Sequence, residues 1–203
     1  MTPSPTIYLY VNGIATWPGD ATNWNKRAVT FTHLTTPHRA EAFEYFTTPL
    51  TRPFKEDQRA KHFDRAVRAY SRAGWKIVCV GHSNGAAIIL EGLKRAGWPR
   101  VEGVHLVCAA CEADFERNGL NAALARAAVG KVFVYVGCRD WALRLAHTIP
   151  GKLLGYGTLG LKGAQNVSPH AAGQVRQTWW QNYGHSTCWE PPYFRETMRN
   201  FVE

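Results

Sequence analysis

Lys76-Ile77-Val78-Cys79-Val80 runs directly into Gly81-His82-Ser83-Asn84-Gly85 and then into Ala86-Ala87-Ile88-Ile89-Leu90-Glu91-Gly92-Leu93. An apolar β-branched run reads as a buried strand, the G-x-S-x-G segment as a sharp turn, and the small and aliphatic residues after it as a helix packed on that strand. The two glycines have a steric reason. The central serine takes a strained backbone conformation, and side chains on either side of it would collide with the neighbouring helix and strand. Such a turn lifts the Ser83 hydroxyl above the sheet edge. It also aims the first turn of the helix, with its free N–H groups and positive dipole end, at whatever Ser83 attacks. The backbone N–H of Asn84 is therefore a candidate oxyanion donor.

Outward from this unit, Ile7 to Val11, Val104 to Cys108 and Lys131 to Val136 read as further buried parallel strands, each short, rich in β-branched or aromatic residues and bounded by turn residues. Helical patterns run over Lys55 to Ala73, Ala86 to Ala96 and Leu120 to Ala128. Weaker strands are predicted at Ala42 to Phe46 and Gln174 to Trp180, and a last helix at Tyr193 to Phe201. Alternation of this kind predicts an α/β fold: a mostly parallel central sheet flanked by helices, in a single domain over residues 1–203. Ala109 to Gly130 reads mostly as one ordinary helix, which leaves no room for a cap domain.

The elbow and the order of elements resemble the α/β-hydrolase superfamily, within its compact lipase- and esterase-like members, over nearly the whole length. The resemblance implies acyl transfer through a serine, a histidine and a carboxylate, because an unassisted serine hydroxyl is a poor nucleophile near neutral pH. It also implies a second oxyanion donor from the loop after the first strand, here Val11-Asn12-Gly13-Ile14-Ala15. The family commonly has His-Gly where this chain has Asn12-Gly13. A backbone donor, the amide of Ile14 or Gly13, tolerates that change.

The family order of Ser, then acid, then His leaves His105, His147, His170 and His185 as bases. His105 lies within a strand, and His147 sits on the helical run directly after Asp140. His170 precedes the last strand, whereas His185 follows it in Asn182-Tyr-Gly-His-Ser-Thr-Cys-Trp189, at the carboxyl end where sites in open α/β sheets gather. His185 is the chosen base. For the acid, Gly137-Cys138-Arg139-Asp140 places Asp140 just beyond a strong strand. Asp114, with Glu112 near it, follows the preceding strand and is the second choice. Asp140 also suits a helix N-cap.

The remaining features are read as structure. The net charge of +9 arises from 24 Lys and Arg against 15 Asp and Glu. Many of the bases fall between Arg52 and Arg72, where Arg65, Arg68 and Arg72 mark one helical face. That face is expected to be solvated; a noncatalytic module binding an anionic partner through it is the alternative, and nucleic acid is not expected. The partner implied by the resemblance is a small-molecule or lipid-like acyl substrate. No cofactor is required. His33 with His38, or His185 with Cys188, lacks a third and fourth ligand at suitable spacing, so no metal is expected.

Five cysteines, an odd number in apolar settings, predict reduced thiols, and Cys108-Ala-Ala-Cys111 closes a strand without the setting of a redox pair. The start Met1-Thr2-Pro3-Ser4-Pro5 carries no basic leader, and the apolar run Ile7 to Val11 is too short to span a membrane, which predicts a cytoplasmic protein. Gly151 to Gly173 is long, irregular and glycine-rich: a flap over the site, or a helix and turn packed on the sheet. Trp17, Trp141 and Trp189 are candidates to line an acyl pocket, or to be core and rim.

Overall fold

The computed structural model describes residues 5–14, 23–46, 48, 52–148 and 156–202, and for residues 52–55 the backbone alone. Six strands form one parallel sheet: β1 (Thr6–Val11), β2 (Arg39–Phe43), β3 (Lys76–His82), β4 (Val101–Val107), β5 (Val129–Gly137) and β6 (Val175–Trp180), in the order β2-β1-β3-β4-β5-β6. Among the described residues the α-helices are α1 (Trp24–Thr35), α2 (Arg52–Arg72), α3 (Asn84–Arg95), α4 (Leu120–Ala125), α5 (Trp141–Ala146), α6 (Leu159–Lys162) and α7 (Pro191–Val202).

Strand periodicity sorts the core into two layers. Ile7, Leu9 and Val11 of β1, with Ile77 and Cys79 of β3, face Phe63 and Val67 of α2 and Ile88, Ile89 and Leu93 of α3. The intervening Tyr8, Tyr10, Val78 and Val80 face Trp24 and Ala28 of α1 and Phe194, Met198 and Phe201 of α7. Both faces are covered over most of their length, which is why these strands read as continuous apolar runs.

Several predicted elements shift. The strand placed at Ala42 to Phe46 lies at Arg39–Phe43, on the sheet edge, where half-exposed polar residues blur the pattern. Helix α1 carried no prediction. Its Thr30, Thr32 and Thr35 hydroxyls bond back to carbonyls four residues earlier, and buried Thr32 meets the Tyr10 hydroxyl at 2.7 Å. Threonine-rich helices of this kind are held by packing rather than by propensity.

Gly151 to Gly173 falls partly outside the described residues; from Tyr156 onward it is packed structure. A Cβ on Gly157 would overlap the Cys111–Glu112 peptide, one on Gly160 the Cys108–Ala109 peptide, and Gln165 bridges in parallel to Asp114. The glycines are there because two backbones touch, so this portion is a packed helix and turn, not a flap.

Candidate active site

Strand β3 delivers Ser83 to the carboxyl edge of the sheet, and α3 begins at the next residue. Ser83 has φ 54 and ψ −122, a region that costs a non-glycine residue about 1–3 kcal/mol. Its neighbours hold it there: Ser83 N–H donates to the Val107 carbonyl at 2.9 Å, and its carbonyl accepts from Ala110 at 3.0 Å and Ala86 at 3.2 Å. The flanking glycines meet the expected crowding. A Cβ on Gly81 would lie 2.8 Å from the Ala86 nitrogen, and one on Gly85 would overlap the Val11 carbonyl oxygen and stand 2.5 Å from that of Asn12.

That close approach brings the loop after β1 against the elbow. A Cβ on Gly13 would lie 3.1 Å from the Ser83 Cβ, so the Gly13 backbone runs directly beside the serine, with half-buried Ile14 next to it. A buried tyrosine pins the loop. Tyr45 donates its hydroxyl to the Asn12 carbonyl at 2.7 Å, receives the Asn12 side-chain amide on its own carbonyl at 3.3 Å, and accepts from the Asn84 amide at 3.3 Å. The two backbone segments expected to donate to an oxyanion are thus tied together through Tyr45, which sequence reasoning had only as part of a weak strand.

Asp140 is fully buried at the end of β5. One carboxylate oxygen accepts from the Leu143 N–H at 2.8 Å, capping α5, and the other lies 2.7 Å from His185 Nδ1. Asp140 therefore caps α5 and bonds His185 at the same time. A carboxylate can only accept, so Nδ1 is the donor of this bond, which in the neutral ring leaves Nε2 as the acceptor. The two loops are laced together by backbone bonds from Cys138 N–H to the Trp180 carbonyl and Arg139 N–H to the Tyr183 carbonyl, both 3.0 Å. Gly137 permits this closeness: a Cβ there would sit 3.1 Å from both the Tyr183 carbonyl oxygen and Cys108 Sγ.

His82 links this pair to the elbow. Its Nε2–H donates to the His185 carbonyl at 2.7 Å, and the two rings lie 4.8 Å apart. Burial, and then the neighbouring His185, push the His82 pKa down to about 3, so it is a neutral, fixed donor. Its ring meets Trp24 and Trp189 edge-on, and those two indoles stack at 4.0 Å. The residue before the elbow serine is visible in the sequence, but its partner 103 positions away is not.

Other candidates lie elsewhere. Asp114 accepts from the Glu116 and Arg117 backbone and from the Asn166 amide, which hold its carboxyl below the usual range in a turn of its own. His105 is buried in an aromatic stack, His147 is half-buried after α5, and His170 is exposed. His33 Nε2 accepts from the Ala40 N–H and His38 stacks on Tyr8. Trp189 is core and Trp141 is 69% exposed; Trp17 is outside the described residues.

All five cysteines are free. Donor atoms of Cys108, Asp140 and His185 lie within 4.8 Å of one another, yet Asp140 and His185 Nδ1 already satisfy each other, and burial followed by the Asp140 charge pushes the Cys108 thiol well up. That donor set fits a protonated thiol beside an acid–histidine pair better than a metal centre. On the basic face of α2, Arg68 pairs with Asp64 at 2.5 Å and donates to the Arg95 carbonyl, and Lys61 pairs with Asp57 at 2.8 Å. Those two positive charges are offset by acids on the same helix. Among the described residues no helix is long and apolar enough to cross a membrane.

No protein-family model matches the sequence, and no curated protein does. Solved structures do. A hydrolase described as putative from Agrobacterium vitis shares 15% identity over 98% of this chain and 91% of its own, with a TM-score of 0.58. The esterase RhEst1 from a Rhodococcus species shares 14% over 98% and 90%, at 0.56, and a cutinase-like protein from a Cryptococcus species 11% over 98% and 93%, at 0.52. The chain has the α/β-hydrolase fold.

Proposed function

We propose that the protein is a serine hydrolase that cleaves a carboxylic ester. The observations that support this reading lie at the carboxyl end of one sheet: a serine held at φ 54 on a strand-to-helix turn, and a histidine whose Nδ1 is bonded to a fully buried aspartate at 2.7 Å and whose carbonyl is bonded to His82, the residue before that serine. Ser83 attacks the ester carbonyl while His185 Nε2 takes its proton. Asp140 holds the imidazole in the required tautomer and stabilises the imidazolium. The Asn84 amide and that of Gly13 or Ile14 receive the developing oxyanion, each such donor being worth about 3 kcal/mol of barrier in enzymes of this kind. His185 returns the proton to the departing alcohol, and water releases the acid by the same steps in reverse. The names of the esterase and the cutinase-like neighbour support this chemistry by analogy of fold.

The test is labelling with a fluorophosphonate, which requires an activated serine, followed by peptide mapping and an ester screen. Stoichiometric modification at Ser83 that vanishes in Ser83→Ala and in His185→Ala is expected, with ester turnover falling about 10⁶-fold in Ser83→Ala. A folded protein that the probe leaves unlabelled, or that turns over esters equally well without Ser83, overturns the reading.

A further inference from the structure

The sheet face under α1 and α7 is not covered along its whole length. Helix α7 ends at Val202, with Phe201 set edge-on to His105 and Tyr135. Towards the amino ends of β4, β5 and β6 lies a cleft of about 440 Å³, within the range of small-molecule sites. Ser83, Asp140 and His185 are at the opposite, carboxyl ends of the strands.

Parallel register builds the floor. Tyr8, Val78, Gly103 and Lys131 are neighbours in one row across four strands, and His105, Phe133 and Arg176 form the next row. The hollow is there because the first row contains a glycine. A Cβ on Gly103 would meet Val78, Phe133 and His105 only at 3.8–3.9 Å, ordinary van der Waals contact, so neither crowding nor backbone conformation demands glycine. In a strand interior such a residue costs stability, and it marks a place where something else approaches. His105 and Phe133 stand parallel, 4.3 Å apart. Burial pushes His105 down to about 3, so it offers a ring and no charge.

Charge comes from the rim. Among the described residues Lys131, Arg176 and Arg199 are exposed around the cleft with one carboxylate, that of Glu102, and none of the three cations is in an ion pair. We propose that this cleft binds a planar aromatic anion. The ring occupies the space over Gly103 against Val78 and Phe133, and its carboxylate, sulfate or phosphate group is held by Lys131, Arg176 and Arg199. Exposed cations alone hold a small anion weakly, so the ring and the charge are needed together.

Isothermal titration with naphthalene-2-sulfonate tests this, alongside 2-naphthol and inorganic sulfate, each of which supplies half of the recognition. One saturable site is expected, equal in the native chain and Ser83→Ala. Binding should weaken about tenfold or more in Arg176→Gln with Arg199→Gln, and also in Gly103→Val, which fills the hollow. Gly103→Val should also raise the melting midpoint; if it fails to fold, the two surface substitutions still decide. Affinity unchanged by these substitutions, absence of saturable binding, or sulfate binding as tightly as the arylsulfonate overturns the proposal.

Discussion

Asp140 and Asp114 each follow a strand of the same sheet, and residue chemistry alone does not separate them. Their partners do. Asp140 is buried and spends one oxygen on His185, whereas Asp114 spends one oxygen on the turn around it and the other on Asn166. Asp140→Asn should therefore cut kcat by about 10⁴-fold, because an amide at that place allows the wrong imidazole tautomer. Asp114→Asn should leave kcat within about twofold, since it touches none of the proposed reacting groups. Steady-state kinetics on one activated ester checks both. Ser83 and the helix start at Asn84 were legible from the elbow motif, and the bonded pair Asp140 and His185 from the chain order that the resemblance implies. The roles of Tyr45 and His82 were not, because each acts through a contact between segments far apart in the chain.

At the scale of elements, glycine separates packed segments from open ones. Gly157 lies in a segment that the sequence left undecided between flap and packed structure, and its neighbours resolve it: a Cβ there would overlap the Cys111–Glu112 peptide, while one on Gly173 would meet nothing within 4 Å. Gly157→Ala is expected to lower stability by about 3 kcal/mol, as overpacking against backbone does, and Gly173→Ala to stay within about 0.5 kcal/mol. Urea midpoints at constant m-value measure the difference. The buried strands were readable because alternate residues face two covered layers. Edge strand β2 and helix α1 were not, because one is half-exposed and the other gains its stability from Tyr10, Trp189 and α7 rather than from its own pattern.

For the whole molecule, two histidines buried on the α1/α7 side of the sheet set the dependence of stability on pH. His82 and His105 have folded pKa values pushed down to about 3 by burial, against 6.5 in the unfolded chain. Above 6.5 neither state is protonated at these sites and stability is at its full value. Below it the unfolded chain takes up protons that the folded one refuses, so stability falls as the pH drops from 6.5 towards 3. The two together contribute a slope of up to about 3 kcal/mol per pH unit in that window. Urea unfolding at pH 7.5 and at pH 5.5 should show a clear drop in midpoint, and His105→Phe, which keeps a ring in the stack, should remove about half of it.

The sequence by itself determined the fold class, the elbow and a short list of candidate site residues. The first two follow from interactions a few positions long: alternation along a strand, the two glycines that a strained serine requires, and a helix beginning at its neighbour; the candidates for acid and base came from the chain order that the resemblance implies. Which acid meets His185, what ties the loop after β1 to the elbow, and why Gly103 leaves a hollow between Val78 and Phe133 were decided only in the tertiary structure. Each depends on which segments lie side by side at one end of the sheet, and strand order and register place them, not any local run of residues.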